Sequence, residues 1–337
     1  MRKSVFLILI LILTACGTGG GTSSTPSLTA SNPMPVIAAS PSPAPVATLL
    51  PTPGQNMVIL VAPPEAGPLM AQALTALAAS THWAFETRPT LTAAELKPEF
   101  KIVVFLQTPP DLPAWLAAAP QTQFVVTGGS ELEAKANLSV IRQREEFRSF
   151  MAGYITVLVA PDWRGLGLMP AAPAQLVDAF INGGRFWCGR CIPIHGPVVL
   201  FPLVSALPAG TALADWQKAV STQQKNVIES IYISPEAYSL ELVKSLFTQK
   251  LILVGSQPPA AEITPLWAAT LSFDPVPALQ KIWPDLAAAK GGQTADASLA
   301  WSSVNEDWFS VGKQRLAQDI LTSLLNGTIG PFSVPTQ

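Results

Sequence analysis

The sequence predicts an α/β fold of two lobes, each a parallel sheet covered by helices. Three observations point there. Short, continuous apolar runs such as Met57-Val58-Ile59-Leu60-Val61 and Lys101-Ile102-Val103-Val104-Phe105-Leu106 have the character of strands buried on both faces. These runs alternate with helical stretches of about 10–15 residues, the pattern of parallel strands joined by crossover helices. The part that follows the Pro-rich segment, residues 56–337, is long enough for two such units of roughly 100–150 residues each.

The elements follow in order. Met57–Val61 is a strand that stops at Pro63-Pro64, and an Ala/Leu-rich helix runs from about Gly67 to Ser80. Trp83–Arg88 and Lys101–Leu106 are strands, Asp111–Ala119 a short helix, and Gln123–Val126 and Asn137–Ile141 two further strands. Glu145–Val159 is helical, with its acids in the first turn, where the helix dipole favours them. The second half repeats the pattern. Strand Gly165–Met169 precedes helix Ala174–Asn182, extended segment Val198–Val204 and helix Leu213–Lys225. Strand Val227–Ile233, helix Leu240–Phe247 and strands Leu251–Val254 and Trp267–Phe273 come next. Helix Val276–Leu286, a loop at Gly291-Gly292, strand Ser298–Val304 and helix Val311–Leu325 complete the chain. The expected organisation is a signal segment over 1–16, a tether over 17–55, a first lobe of 56–161 plus about 265–292, and a second lobe of 162–264 plus about 293–337.

Composition narrows the function. Of 337 residues, 49% are hydrophobic and 12% charged, with a formal net charge of −2. That balance argues against a nucleic-acid binder, which needs clustered Lys and Arg. Two histidines exclude a His-rich metal centre, and three cysteines are too few for a disulfide scaffold. No cofactor motif of Walker or G-x-G-x-x-G spacing occurs, since Gly128-Gly129-Ser130 and Gly291-Gly292 fit neither. No Gly-x-Ser-x-Gly nucleophile elbow occurs either, so the chain is expected not to be an enzyme.

Arg2 and Lys3 precede an apolar run from Val5 to Leu13, which ends at Leu13-Thr14-Ala15-Cys16-Gly17. A basic start, a short apolar core and small residues at its end form a secretory signal, too short to span a bilayer. Leu-Thr-Ala-Cys resembles the lipobox of bacterial lipoproteins, with Cys16 as the acylated (palmitate-bearing) first residue of the mature chain. The expectation is a lipid anchor holding the protein at the extracytoplasmic face of the cell membrane. Residues 17–55 carry eight prolines, twelve Ser or Thr and no charge, so they are expected to be a disordered tether.

Several segments together resemble one family. Glu145-Glu146-Phe147-Arg148-Ser149-Phe150-Met151-Ala152-Gly153 is similar to the acid–aromatic helix of the basic membrane protein family. These are lipoproteins of the type I periplasmic-binding-protein fold. Gly165-Leu166-Gly167-Leu168, Phe180-Ile181-Asn182-Gly183-Gly184, Leu253-Val254-Gly255-Ser256-Gln257 and Leu325-Asn326-Gly327-Thr328-Ile329 resemble its later motifs, in the same order. The resemblance implies a two-lobed type I fold and a substrate-binding role in an ABC transporter, with a permease and an ATPase as partners. It does not carry over the nucleoside. The loop after the first strand, Pro63-Pro64-Glu65-Ala66-Gly67, lacks the family's aspartates and its Ser-Phe-Asn. The small-molecule ligand stays open, with a nucleoside-like solute among the candidates.

Trp187-Cys188-Gly189-Arg190-Cys191 has three open readings: a structural disulfide, a redox-active pair, or part of a zinc site with His195. Position favours the structural disulfide, because the motif trails a helix instead of starting one. The zinc reading lacks a fourth ligand. Ligands of open α/β sheets bind outside the carboxyl ends of the strands. By that rule the polar candidates for ligand binding are Glu65, Thr127, Ser234, Glu236 and Gln257, with Trp187, Trp267 and Asp274 beside them. Two other functions stay open: a ligand-sensing or structural envelope lipoprotein, and a thiol–disulfide oxidoreductase using Cys188 and Cys191.

Overall fold

In a computed structural model of the chain, described here for residues 54–63, 67–128 and 131–333, the first strand, β1 (Met57–Val61), is buried along most of its length. Its Val and Ile side chains fill both faces of a six-stranded sheet. The other members are β2 (Ala84–Arg88), β3 (Phe100–Phe105), β4 (Gln123–Thr127), β5 (Leu138–Arg142) and β11 (Thr294–Asp296). They lie in the order β11-β5-β4-β3-β1-β2, every neighbouring pair parallel. Helices α1 (Pro68–Ser80), α2 (Leu112–Ala118) and α7 (Val276–Ala287) cover this sheet.

The second sheet repeats the plan with β6 (Gly165–Pro170), β7 (Leu203–Leu207), β8 (Ser230–Ile233), β9 (Ile252–Gly255), β10 (Trp267–Asp274) and β12 (Ser298–Ser302). The order is β12-β10-β9-β8-β6-β7, parallel except for the antiparallel β12. Helices α3 (Glu145–Val159), α4 (Ala174–Cys188), α5 (Leu213–Gln223), α6 (Leu240–Thr248) and α8 (Val311–Leu325) flank it. Both sheets belong to one compact unit.

Helix α3 is the keystone of the second sheet. From Ser149 to Val159 every residue is buried, because the helix lies between the sheet and its neighbours α4 and α8. Phe150, Phe180 and Phe309 have no exposed surface, and each such burial contributes roughly 1.5–3 kcal/mol relative to exposure. The α3–α4 crossing is close because glycines face backbone. A Cβ on Gly153 would overlap the carbonyl oxygen of Phe180, and one on Gly183 would overlap that of Phe150.

The structure moves the boundary between the lobes. The expected boundary lay near residue 161, but α3 packs on the second sheet, so the chain leaves the first lobe directly after Arg142. Strand β10, expected in the first lobe, pairs with β9 in the second. Helix α4 runs on through Gly183 and Gly184 to Cys188. The extended segment expected at Val198–Val204 is largely loop, and the strand forms later, at Leu203–Leu207.

Candidate ligand-binding cleft

Three short links join the carboxyl edges of the two sheets. β5 ends at Arg142 and α3 begins at Glu145; β10 ends at Asp274 and α7 begins at Val276; β11 ends at Asp296 and β12 begins at Ser298. Links of one or two residues leave no choice but to set these edges side by side. Contacts tie the links together. The Ala297 N–H donates to the Arg142 carbonyl at 2.8 Å, and the Arg144 guanidinium lies 3.6 Å from the Asp296 carboxylate. The Arg148 guanidinium sits over the Phe273 ring at 5.3 Å.

Four expected polar residues lie at these edges. Thr127 ends β4, is buried, and donates its hydroxyl to the Leu106 carbonyl at 3.1 Å, which locks the ends of β3 and β4 together. Ser234 follows β8 and is buried, and its Oγ has no hydrogen-bond partner. Glu236, two residues on, is exposed. Gln257 follows β9 and is exposed, while its carbonyl accepts from the Thr270 hydroxyl at 3.4 Å. Beside it, the Ser256 Oγ is a second buried hydroxyl without a partner. Buried polar atoms are nearly always paired, so two orphans at the ends of adjacent strands are groups a solute can satisfy. Asp274 ends β10, but its carboxylate accepts from the Val276 N–H at 2.9 Å and so serves the start of α7. Glu65 lies outside the described residues.

Two of the aromatic candidates are placed elsewhere. Trp187 closes the last turn of α4, near the amino edge of the second sheet, where it meets Tyr154 edge-on at 5.8 Å. Trp267 opens β10 and is wholly buried; its indole N–H donates to Thr270 Oγ1 at 3.0 Å and its ring fills the space over Gly255. It is a core residue rather than a ligand platform.

Inspection of the sequence missed a charged cluster at the same edge. Glu145 and Arg148, one helical turn apart at the start of α3, form an ion pair. Burial pushes the Glu145 carboxyl above its ordinary range; Arg148 pulls it back, and Glu236 and Glu146 add to the rise. Tyr232, on β8, is stacked on Phe180 at 5.8 Å. Burial pushes its phenol up to about 12, against the opposing pull of Arg148. It therefore stays a neutral hydrogen-bond donor at any physiological pH. The signal was present in the sequence, since an acid and a base three residues apart open a helix that is otherwise buried. The helix dipole accounts for acids in a first turn by itself and so does not point to a partner for them.

Beside the links lies a cavity of about 410 Å³ lined by Arg142, Ala278, Lys281, Thr294, Ala295 and Asp296. Arg142 Nε is buried there without a partner. The cysteines of the Cys-x-x-Cys motif lie at disulfide distance, with Cα atoms 5.0 Å apart. Cys188 is the last residue of α4, at the negative end of the helix dipole, which disfavours a thiolate. Among the described residues no group of three metal-ligating side chains comes together, and no helix is long and apolar enough to cross a membrane.

No protein-family model matches the chain, and no curated protein matches it in sequence. Solved structures do match. One is an ABC transporter solute-binding protein from Conexibacter woesei, 16% identical, covering 82% of this chain and 100% of that one with a TM-score of 0.58. A solute-binding protein of Aeropyrum pernix is 12% identical, covers 84% of this chain and 94% of its own, and has a TM-score of 0.55. A transcriptional activator of the comK gene from Bacillus halodurans is also 12% identical, covers 82% and 99%, and has a TM-score of 0.60. Identities this low speak for the fold. The architecture is that of the type I periplasmic-binding proteins: two six-stranded α/β lobes joined by three links at their carboxyl edges.

Proposed function

We propose that this chain is an extracytoplasmic solute-binding lipoprotein, anchored through Cys16, that captures a small molecule between its lobes. It then delivers that molecule to the permease of an ABC importer, whose separate ATPase drives transport. The motif order along residues 145–329 supports placing it with the basic membrane protein family, and solute-binding proteins of ABC transporters share its fold. It acts by binding and not by catalysis.

One observation carries the reading. Ser234 Oγ and Ser256 Oγ are buried and unpaired at the ends of neighbouring strands, on the edge where the two lobes meet. A solute that bonds to both offsets their desolvation, and closure of the lobes about the links would trap it.

The test is a thermal-shift screen of the purified chain against solute classes, among them nucleosides, sugars, amino acids and polyols. A ligand at about 100 times its Kd stabilises the bound protein by about 2.7 kcal/mol, a readable shift. The Ser234→Ala/Ser256→Ala variant should keep the unliganded melting temperature and lose most of the ligand-induced shift. A shift that survives the double substitution, or none with any class, would contradict the proposal.

A second reading, ligand sensing without transport, is favoured by one observation: the comK activator of Bacillus halodurans shares the fold. The oxidoreductase reading loses support because Cys188 ends a helix where a reactive cysteine would begin one.

A further inference from the structure

The segment between α4 and β7 has a composition found nowhere else in the chain. From Gly183 to Val204 there is no Asp, Glu, Asn, Gln, Ser or Thr. Its only ionisable side chains besides the paired cysteines are Arg185, Arg190 and His195, all of them exposed. Six of the thirteen large apolar side chains exposed among the described residues fall here: Phe186, Trp187, Ile192, Ile194, Val198 and Leu200. Ile194 is 79% exposed and Val198 71%.

A slack loop of this composition would fold its side chains back onto the body. This one is held out by its backbone. Arg164, itself buried, donates to the carbonyls of His195 and Gly196, and the Asp162 carboxylate accepts from the Ile194 N–H at 3.2 Å. At the root, Cys191 and Phe201 are buried, and the Phe201 N–H donates to the Cys191 carbonyl at 3.2 Å. The tip of the loop is thus tied to the body through its main chain while the apolar side chains named above face outward.

We infer that this pinned loop is a docking surface for a bilayer containing anionic lipid. Exposed aliphatic and aromatic side chains with Arg185 and Arg190 among them, and no acid within the segment, are the pattern of a segment that seats about 5–10 Å into the headgroup boundary. A protein partner would be met with a rim of both donor and acceptor side chains, and this segment has no carboxylate, amide or hydroxyl side chain to supply the acceptors. The loop lies at the amino edge of the second sheet, beside Arg164 at the start of β6, so docking leaves the carboxyl edges free for solute. The chain outside the described residues suits the arrangement. Between Cys16 and Asn56 run 39 residues, whose extended reach of at most about 130 Å lets either pole of the body meet the membrane that holds the anchor. The inference rests on the anchored reading only for the presence of a bilayer.

The full chain, carried on phosphatidylcholine vesicles with or without phosphatidylglycerol and with brominated acyl chains, tests this. Two variants each add one indole: Ile194→Trp in the loop, and Leu69→Trp at the start of α1, an equally exposed apolar position on the first lobe. The expected result is loss of most of the added emission from Ile194→Trp on phosphatidylglycerol vesicles, a smaller loss on phosphatidylcholine alone, and little from Leu69→Trp. Arg190→Glu in the Ile194→Trp background should reduce the loss. A chain that floats with the vesicles but shows equal or no quenching for the two variants would overturn the loop's role while keeping the anchor. A chain that does not float would overturn both. Shielding of the Ile194→Trp indole by a co-purified protein, without quenching by bromolipid, would assign the surface to a protein and overturn the lipid assignment.

Discussion

Gly183→Ala puts a methyl group onto the carbonyl oxygen of Phe150, at the closest approach of α3 and α4. Neither group can rotate away, because the oxygen belongs to a helix backbone. The helices must separate by roughly 0.5–1 Å, and a gap of that size forfeits a quarter to a half of each packing well along the seam. The seam includes Phe150, Met151 and Phe180, all wholly buried. Overpacking of this kind costs about 3 kcal/mol, the upper end of its usual range, because backbone meets backbone. Alanine's better helix propensity returns about 1 kcal/mol. A net loss of about 2 kcal/mol, over about 280 folded residues at 2.1 cal/mol/K each, lowers the melting temperature by about 3 °C. Differential scanning calorimetry reads this, with Gly330→Ala as a control, since a Cβ there meets nothing within 4 Å. If Gly183→Ala melts with or above the wild type, propensity has won and the close approach is refuted.

The remaining predictions are more direct. The chain's three tyrosines, Tyr154, Tyr232 and Tyr238, all have phenols raised by burial, Tyr232 to about 12. A folded-state value above the unfolded one means that stability held below pH 10 is lost as pH climbs towards 12. Absorbance at 295 nm should therefore show less than half of the tyrosine ionised at pH 10, with Tyr232 the last to titrate; half-titration or more there would contradict the burial. Free-thiol labelling of the native protein should not detect Cys188 or Cys191, and Cys188→Ser/Cys191→Ser should cost at most about 2–3 kcal/mol, as a short ring closes little entropy. Disulfide-exchange turnover that vanishes in the double variant would point to a redox enzyme. Cys16→Ser should move the protein from the membrane to the soluble fraction; retention in the membrane would reveal a stronger second attachment.

Much of the fold was legible because its strands are continuous apolar runs. Helices α3 and α8 fall where the sequence sets them, at Glu145–Val159 and Val311–Leu325. What local pattern cannot say is which sheet an element joins. Nothing in residues 145–159 distinguishes packing on the first sheet from packing on the second, so the crossing at Arg142 was invisible. Gly183-Gly184 has the look of a helix end, yet those glycines serve close packing and α4 continues. β11 is three mostly exposed residues, Thr294-Ala295-Asp296, held by pairing with β5, with no apolar run to betray it. The strand-end rule located Thr127, Ser234, Glu236 and Gln257 at the carboxyl edges, because it needs only strand boundaries. It failed for Trp187 and Trp267, where residue type outweighed position, and it missed Arg148 and Tyr232, which come together only through α3 lying across β8.

Native mass spectrometry of the freshly purified full chain tests solute capture most directly. The account predicts a fraction of wild-type molecules carrying one small solute of defined mass, released on mild activation and strongly reduced in Ser234→Ala/Ser256→Ala. A protein that stays free of solute and gains none from an extract of its growth medium, or that holds the same solute without those two hydroxyls, would contradict it.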